Sequence, residues 1–256
     1  MKYQIVFLIG VLHLLTSCSN EVEENLIPEF KLPTERIRIS IDEGNSKNIY
    51  KYIYDEKYRL VETQNTYTRE SPSLSQVNVR KYLYEGDKIK EIDYFYGEEN
   101  DLRDKLIFEY EANQIVKKTY YYRNRIDHVY NYEYNTDNIQ TKEISISYEN
   151  DGTPSPPFVT FFEYSNESKT VKGLKENNDT YIYEYDNYNS PFSNVPSYTI
   201  GVDNNRLSYK YYNEQGNLNE TVSTNYINSY DNDGFLVNQE RIKDGRTVSI
   251  EFRYNK

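Results

Sequence analysis

Polar and apolar positions alternate with a period of two along much of this chain, and tyrosine carries the alternation. Tyr50, Tyr52 and Tyr54 alternate with Lys51, Ile53 and Asp55, and Tyr130, Tyr132 and Tyr134 alternate with Asn131 and Glu133. Tyr181, Tyr183 and Tyr185 alternate with Ile182 and Glu184, and Ile250, Phe252 and Tyr254 with Glu251 and Arg253. Side chains at i and i+2 share one face of a strand, so each stretch predicts a β-strand with one aromatic face. Ile37, Ile39 and Ile41 against Arg36, Arg38 and Ser40 predict the first strand, and no window carries a helical stripe.

Turn chemistry falls where these strands should end. The clearest unit is residues 226–236, YINSYDNDGFL, in which strand tyrosines run into Asp231, Asn232, Asp233 and Gly234 and then into Phe235 and Leu236. Further turns are predicted at Glu85-Gly86, Asn150-Asp151-Gly152, Gln215-Gly216 and Asp244-Gly245, because Gly and Asn-type residues tolerate positive φ. Nine anchor tyrosines, Tyr54, Tyr84, Tyr110, Tyr134, Tyr164, Tyr185, Tyr212, Tyr230 and Tyr254, follow one another at intervals averaging about 25 residues. That length holds two strands and two turns, too little for a βαβ unit. The fold class is therefore all-β, a large antiparallel up-and-down meander of about sixteen strands. The residues leave three closures open: a barrel, a flattened sandwich or an open sheet. With the tyrosine face inside, a barrel this wide is not filled by side chains alone, and tyrosine suits a wall that meets water.

The leader changes the picture. An apolar run over residues 5–15 is too short to span a bilayer, where about twenty residues are needed, and it predicts a signal peptide over 1–17. The residues Leu15-Thr16-Ser17-Cys18 resemble the lipobox of bacterial lipoproteins, which implies cleavage before Cys18 and lipidation there. An ordinary secreted protein with a chance cysteine is the competing reading. Residues 18–34 carry Glu21, Glu23, Glu24 and Glu29 with Pro28 and Pro33, a lipidated N-terminus and acidic tether, leaving 35–256 as one repeat domain. Acids close behind the cysteine also resemble the surface-export signal of Bacteroidetes-type lipoproteins. A solvated linker that carries no address is the competing reading. An outer-membrane lipoprotein, at the cell surface rather than facing the periplasm, is the expected location. As Cys18 is the only cysteine, no intramolecular disulfide contributes.

Residues 212–218 (YNEQGNL) and 230–236 (YDNDGFL) resemble the tyrosine-aspartate repeats of large bacterial shell and toxin proteins. Residues 185–194 (YDNYNSPFSN) are similar to a segment of secreted Bacteroidetes repeat lipoproteins. Taken with the lipobox and the length, the mature chain resembles a family of secreted Bacteroidetes proteins of unknown function with a porin-like barrel fold. The resemblance implies that fold and no activity. A lipid-embedded barrel needs an apolar outer face. The face opposite the tyrosines carries Lys51, Asp55, Glu109, Glu133, Glu184, Lys210, Glu251 and Arg253, which predicts a water-facing barrel held by its lipid.

Charge and residue inventory narrow the chemistry. Without the leader and its Lys2 the chain has 29 basic against 41 acidic residues, a formal charge of −12, which disfavours nucleic acid and anionic lipid surfaces. His128 is the one histidine outside the leader, so no histidine-based nucleophile site or zinc cluster is expected and a strand-end surface residue is the simpler account. Asp231, Asp233, Gly234 and Glu240 overlay part of a calcium loop, but Ser229 holds its first position and strands flank it. Carboxylate pairs for a glycosidase are too abundant among 41 acids to single one out. No cofactor, metal or catalytic residue is expected. Three readings result: a non-catalytic binding module for a glycan or protein, a structural envelope lipoprotein, and a hydrolase with a carboxylate pair. The membrane is met through the lipid alone. Exposed coplanar tyrosines would favour the first reading, an exposed sheet edge or apolar patch the second, and convergent acids in a pocket the third.

Overall fold

The structure is a computed structural model that describes residues 31–40, 45–70, 74–97, 101–165, 170–195, 204–243 and 246–255. The leader, Cys18 and the tether to residue 30 lie outside the described residues, as do Ile41 and the Asp244-Gly245 turn. The strands are β1 (Pro33–Ser40), β2 (Ser46–Tyr54), β3 (Leu60–Arg69), β4 (Leu74–Glu85), β5 (Lys88–Tyr96), β6 (Asp101–Glu111), β7 (Gln114–Tyr122) and β8 (Arg125–Tyr134). They continue with β9 (Gln140–Ser147), β10 (Phe158–Ser165), β11 (Thr170–Lys175), β12 (Thr180–Asn189), β13 (Asn204–Tyr212), β14 (Thr224–Tyr230), β15 (Leu236–Lys243) and β16 (Arg246–Tyr254). Each pairs antiparallel with its sequence neighbours, and β1 pairs with β16, so the meander closes into a sixteen-stranded barrel. An even strand number lets the first and last strands meet antiparallel, and closure removes the sheet edges.

Eight of the nine anchor tyrosines lie near the ends of even-numbered strands and so share one rim, which accounts for sixteen strands as eight two-strand units. Tyr212 ends an odd strand, β13, and lies at the opposite rim. The interval from Tyr185 to Tyr230 is one unit lengthened by the connection after β12. The first strand starts at Pro33, ahead of the predicted domain start, and Leu32 is already buried.

The anchors explain the repeat physically. The hydroxyls of Tyr54, Tyr84, Tyr110, Tyr134 and Tyr254 donate to the carbonyls of Pro33, Leu60, Ile89, Ile115 and Leu236 at 2.6–2.9 Å. Each carbonyl lies two residues beyond the last ladder pair of its strand with the anchor's strand, where no amide stands opposite it. Beside Tyr54, Tyr84, Tyr110, Tyr134 and Tyr230 the ladder to the following strand shifts register by one residue, a bulge. The shift sets Leu60, Ile89, Ile115, Gln140 and Leu236 directly across from the tyrosines, on the same face.

Turns after Tyr54, Tyr134, Tyr212 and Tyr230 are of one kind. The side-chain oxygen of Asp55, Asn135, Asn213 or Asp231 accepts the amides two and four residues on. Tyr58, Asn138, Gly216 and Gly234 take positive φ at the fourth position after each tyrosine. Glycine is strain-free there and asparagine tolerated, which is why the repeat survives without a fixed glycine.

The tyrosine stripe faces the lumen. Leu60, Tyr82, Ile89, Ile92 and Phe108 form a core there with Leu32 and Val195. The connection after β12 folds in at the anchor rim: Phe192 meets Tyr52 edge-on at 5.1 Å and Val195 is 4% exposed. Because β2 is six strands away round the barrel, this segment crosses the mouth and plugs it over β1–β7. It is tied by Asp186, whose carboxylate accepts the amides of Tyr188 and Asn205 and the Tyr230 hydroxyl. Outside, cross-strand ion pairs Glu91–Lys105, Glu109–Lys117, Glu133–Lys142, Glu163–Lys172 and Glu184–Lys210 recur, with exposed Ile39, Ile53, Leu83, Phe161 and Ile227 beside them.

Candidate functional site

The plug leaves part of the lumen open. A cavity of about 430 Å³ is bounded by Phe108 and Ile115 on one side and by Val171, Tyr183, Tyr185 and Arg206 on the other. Tyr132, Tyr134, Phe162 and Tyr164 complete an aromatic wall, with Gln140, Lys118 and Glu143 set into it. Ile115 and Tyr134 also line a recess between residues 112–114 and Asn138 at the anchor rim, so the cavity continues toward solvent there. Tyr185 and Arg206 likewise belong to a second recess beneath the plug, beside Pro191 and Phe192.

Strand parity delivers the charged residues. Lys117 points outward to Glu109 at 2.7 Å, whereas Lys118 points inward, its Nζ 4.4 Å from the Tyr130 ring centre and 5.5 Å from that of Tyr132. Among the described residues Lys118 and Glu143 have no ion-pair or hydrogen-bond partner. Burial pushes the Lys118 ammonium below its ordinary value and the Glu143 carboxyl above its own, each only partly offset by the other. Burial likewise raises the Tyr132 phenol. Arg206 stacks on Tyr183 with its guanidinium carbon 4.4 Å from the ring centre. Such cation–π contacts are worth about 0.5–2 kcal/mol, less than a buried cation loses on leaving water.

The residues singled out from sequence fall elsewhere. Asp231 and Asp233 hold Lys31 Nζ at 2.6 and 2.7 Å, and Asp231 also caps its own turn. Burial alone would raise Asp231, but Lys31 and the amides of Phe235 and Asp233 hold it below the usual carboxylate range. Lys31 therefore occupies the place a calcium ion would take, and Glu240 sits apart on β15. Among the described residues no group of three or more His, Cys, Asp and Glu side chains is placed to hold a metal. His128 is half-buried, with Nδ1 2.5 Å from Asp127 Oδ2 and its ring stacked near Tyr130. Tyrosines are gathered as expected, but on an inner wall in place of an exposed platform. One carboxylate, Glu143, lies among the cavity's described lining residues, so no carboxylate pair converges there. Lys118, Glu143 and Arg206 went unnoticed in the sequence. The signal was present for Lys118, which stands in phase with Tyr120, as it is for Arg80 with Tyr82 and Tyr84.

No protein-family model matches the chain, and no curated protein matches it. Among solved structures, a porin-like protein from Bacteroides vulgatus is 11% identical with a TM-score of 0.44, covering 88% of this chain and 99% of that one. A porin-like protein from Bacteroides uniformis matches with a TM-score of 0.57 at 12% identity, covering 87% of this chain and 96% of that one. At that identity the likeness is one of fold, and in fold this chain is a closed sixteen-stranded barrel similar to the Bacteroides uniformis porin-like protein.

Proposed function

We propose that this chain is a lipid-anchored protein of the bacterial cell envelope, displayed at the surface through Cys18, and that its barrel is a non-catalytic module binding a glycan in the lumen. The observation that carries the ligand reading is the tyrosine-walled cavity, whose volume of about 430 Å³ lies in the range of small-molecule sites. Tyrosine rings offer apolar faces to sugar C–H groups, and their hydroxyls offer donors and acceptors to sugar hydroxyls. Ion pairs on the outer wall support a barrel held off the bilayer, because charge on a lipid-facing strand surface costs about 2–4 kcal/mol per residue at the midplane.

The test uses the full-length protein extracted from membranes, offered to an array of neutral and acidic oligosaccharides. At least one saccharide should bind saturably, and Tyr183→Ala should weaken it. Failure of every saccharide to bind would overturn the glycan reading. The address is checked separately by protease shaving of intact cells: surface display requires loss of the domain while a periplasmic marker survives.

A further inference from the structure

We propose that the cavity's ligand is an acidic saccharide, its single negative charge received by Lys118 and Arg206 and its sugar ring laid on the tyrosine wall. This rests on the glycan reading above and names the class of glycan. The negative group is a uronate carboxylate or a sulfate ester, which present the same chemistry to the two cations.

Three observations converge. The first is that Lys118 has only ring faces and no ion-pair or hydrogen-bond partner among the described residues: a cation drawn into a tyrosine-walled space without a carboxylate in contact is an unfavourable arrangement that a bound anion would relieve. Lys117, one residue earlier, shows how the same strand treats a lysine that needs no ligand, pairing it with Glu109.

The second is the sorting of charge between the two faces of the wall. The chain as a whole is formally −11. Yet cations recur on the inner face, at Arg36, Arg80, Lys118, Arg206 and Arg241, each in register with inward tyrosines or lumen-lining residues. Of the acids there, Asp104 accepts the hydroxyls of Tyr96 and Tyr120 on Oδ2, both at 2.7 Å. The lumen is thus an anion-favouring space inside an acidic protein.

The third is Glu143. With Lys118 and Arg206 it leaves the cavity one positive charge in excess, which suits a monoanion and disfavours a dianionic phosphate ester. Its oxygens accept hydrogen bonds from ligand hydroxyls, which a saccharide supplies and a simple inorganic anion does not. Fixed arginine and lysine donors around aromatic faces therefore read charge and ring together.

Calorimetry on the full-length, membrane-extracted protein decides the matter. The ligands are a disaccharide with one uronate, the same disaccharide with its carboxyl reduced to the alcohol, and that reduced disaccharide carrying one sulfate ester. The uronate or the sulfated sugar should bind about tenfold or more tightly than the reduced sugar, and whichever does identifies the anionic group. Lys118→Met should collapse the ratio between the acidic and the reduced ligand, bringing it from about tenfold or more toward one. Glu143→Gln, which keeps the shape and removes the repulsion, should raise the affinity of the acidic ligand relative to the reduced one, and it serves if Lys118→Met does not fold. Equal affinity for acidic and reduced sugars overturns this inference and leaves the glycan reading standing, whereas no binding by any saccharide removes both.

Discussion

The two sides of the lumen are made from one repeating unit and end in opposite states. Under the plug, Leu60, Ile89, Ile92 and Phe108 close up with Leu32 and Val195, and Ile115 packs against them. Across from them the same unit leaves a cavity in which Lys118 and Glu143 have no ion-pair or hydrogen-bond partner among the described residues. The difference lies largely in one position per unit, the residue that the register shift sets opposite the rim tyrosine. It is Leu60, Ile89 and Ile115 across from Tyr54, Tyr84 and Tyr110, then Gln140 across from Tyr134 and Arg206 across from Tyr185. Leu60 and Ile89 join the core, Ile115 stands at its border with the cavity, and polar Gln140 and Arg206 line the cavity. The packed cluster thus lies on one side of the lumen and the cavity on the other.

The largest effect should come from breaking the packed half. Leu60 is 1% exposed, and Leu60→Ala should lower the unfolding free energy by about 3 kcal/mol, read from the urea midpoint, while the cavity keeps its ligand affinity. An equal loss of ligand affinity would show that the halves are not separable.

A smaller effect tests the rim clamp that both halves share. Tyr84→Phe leaves the Leu60 carbonyl without its donor and should cost about 1.5 kcal/mol, with little change in the shape of the unfolding transition. Tyr134→Phe removes the same bond at the edge of the cavity, to the Ile115 carbonyl, and should cost a similar amount. A much smaller cost there would mark the open half as already loosened.

The smallest effect has the opposite sign. Glu143 has a raised pKa in the folded barrel, so the folded state keeps that proton to higher pH than the unfolded chain does. Its contribution is present below the ordinary value of 4.5 and is lost as pH rises through the raised one. Solvent screening of the half-buried carboxylate keeps the effect small, so Glu143→Gln should stabilise the ligand-free protein by under about 1 kcal/mol at neutral pH, an advantage that shrinks as pH falls. A destabilised variant would mean that the carboxylate is structural.

Much of the architecture was legible residue by residue. Tyr50, Tyr52 and Tyr54 alternate with outward residues as expected, and the rim anchors count the units once Tyr212 is removed from their number. Tyr212 looked like the others because its turn, Asn213 to Gly216, is built like that of Tyr230, and a local turn does not record which rim it occupies. The site was far less legible. Lys117 and Lys118 are adjacent and chemically identical, and only the wall between them makes one an outer ion pair and the other a lumen cation over Tyr130. Residues 185–194 stood out as a motif, but nothing in their composition says that Phe192 reaches a strand six places round the barrel.

By itself the sequence determined what depends on neighbours along the chain: the strand period, the turns, the number of hairpins and the face on which tyrosine lies. These follow from backbone geometry and side-chain parity over a few residues. Tertiary structure alone decided which face became the inside, where the bulges set aliphatic or polar residues across from the rim tyrosines, and which charges were left without partners. Those outcomes depend on closure of β1 onto β16 and on contacts across the lumen, between residues whose separation in sequence carries no local signal.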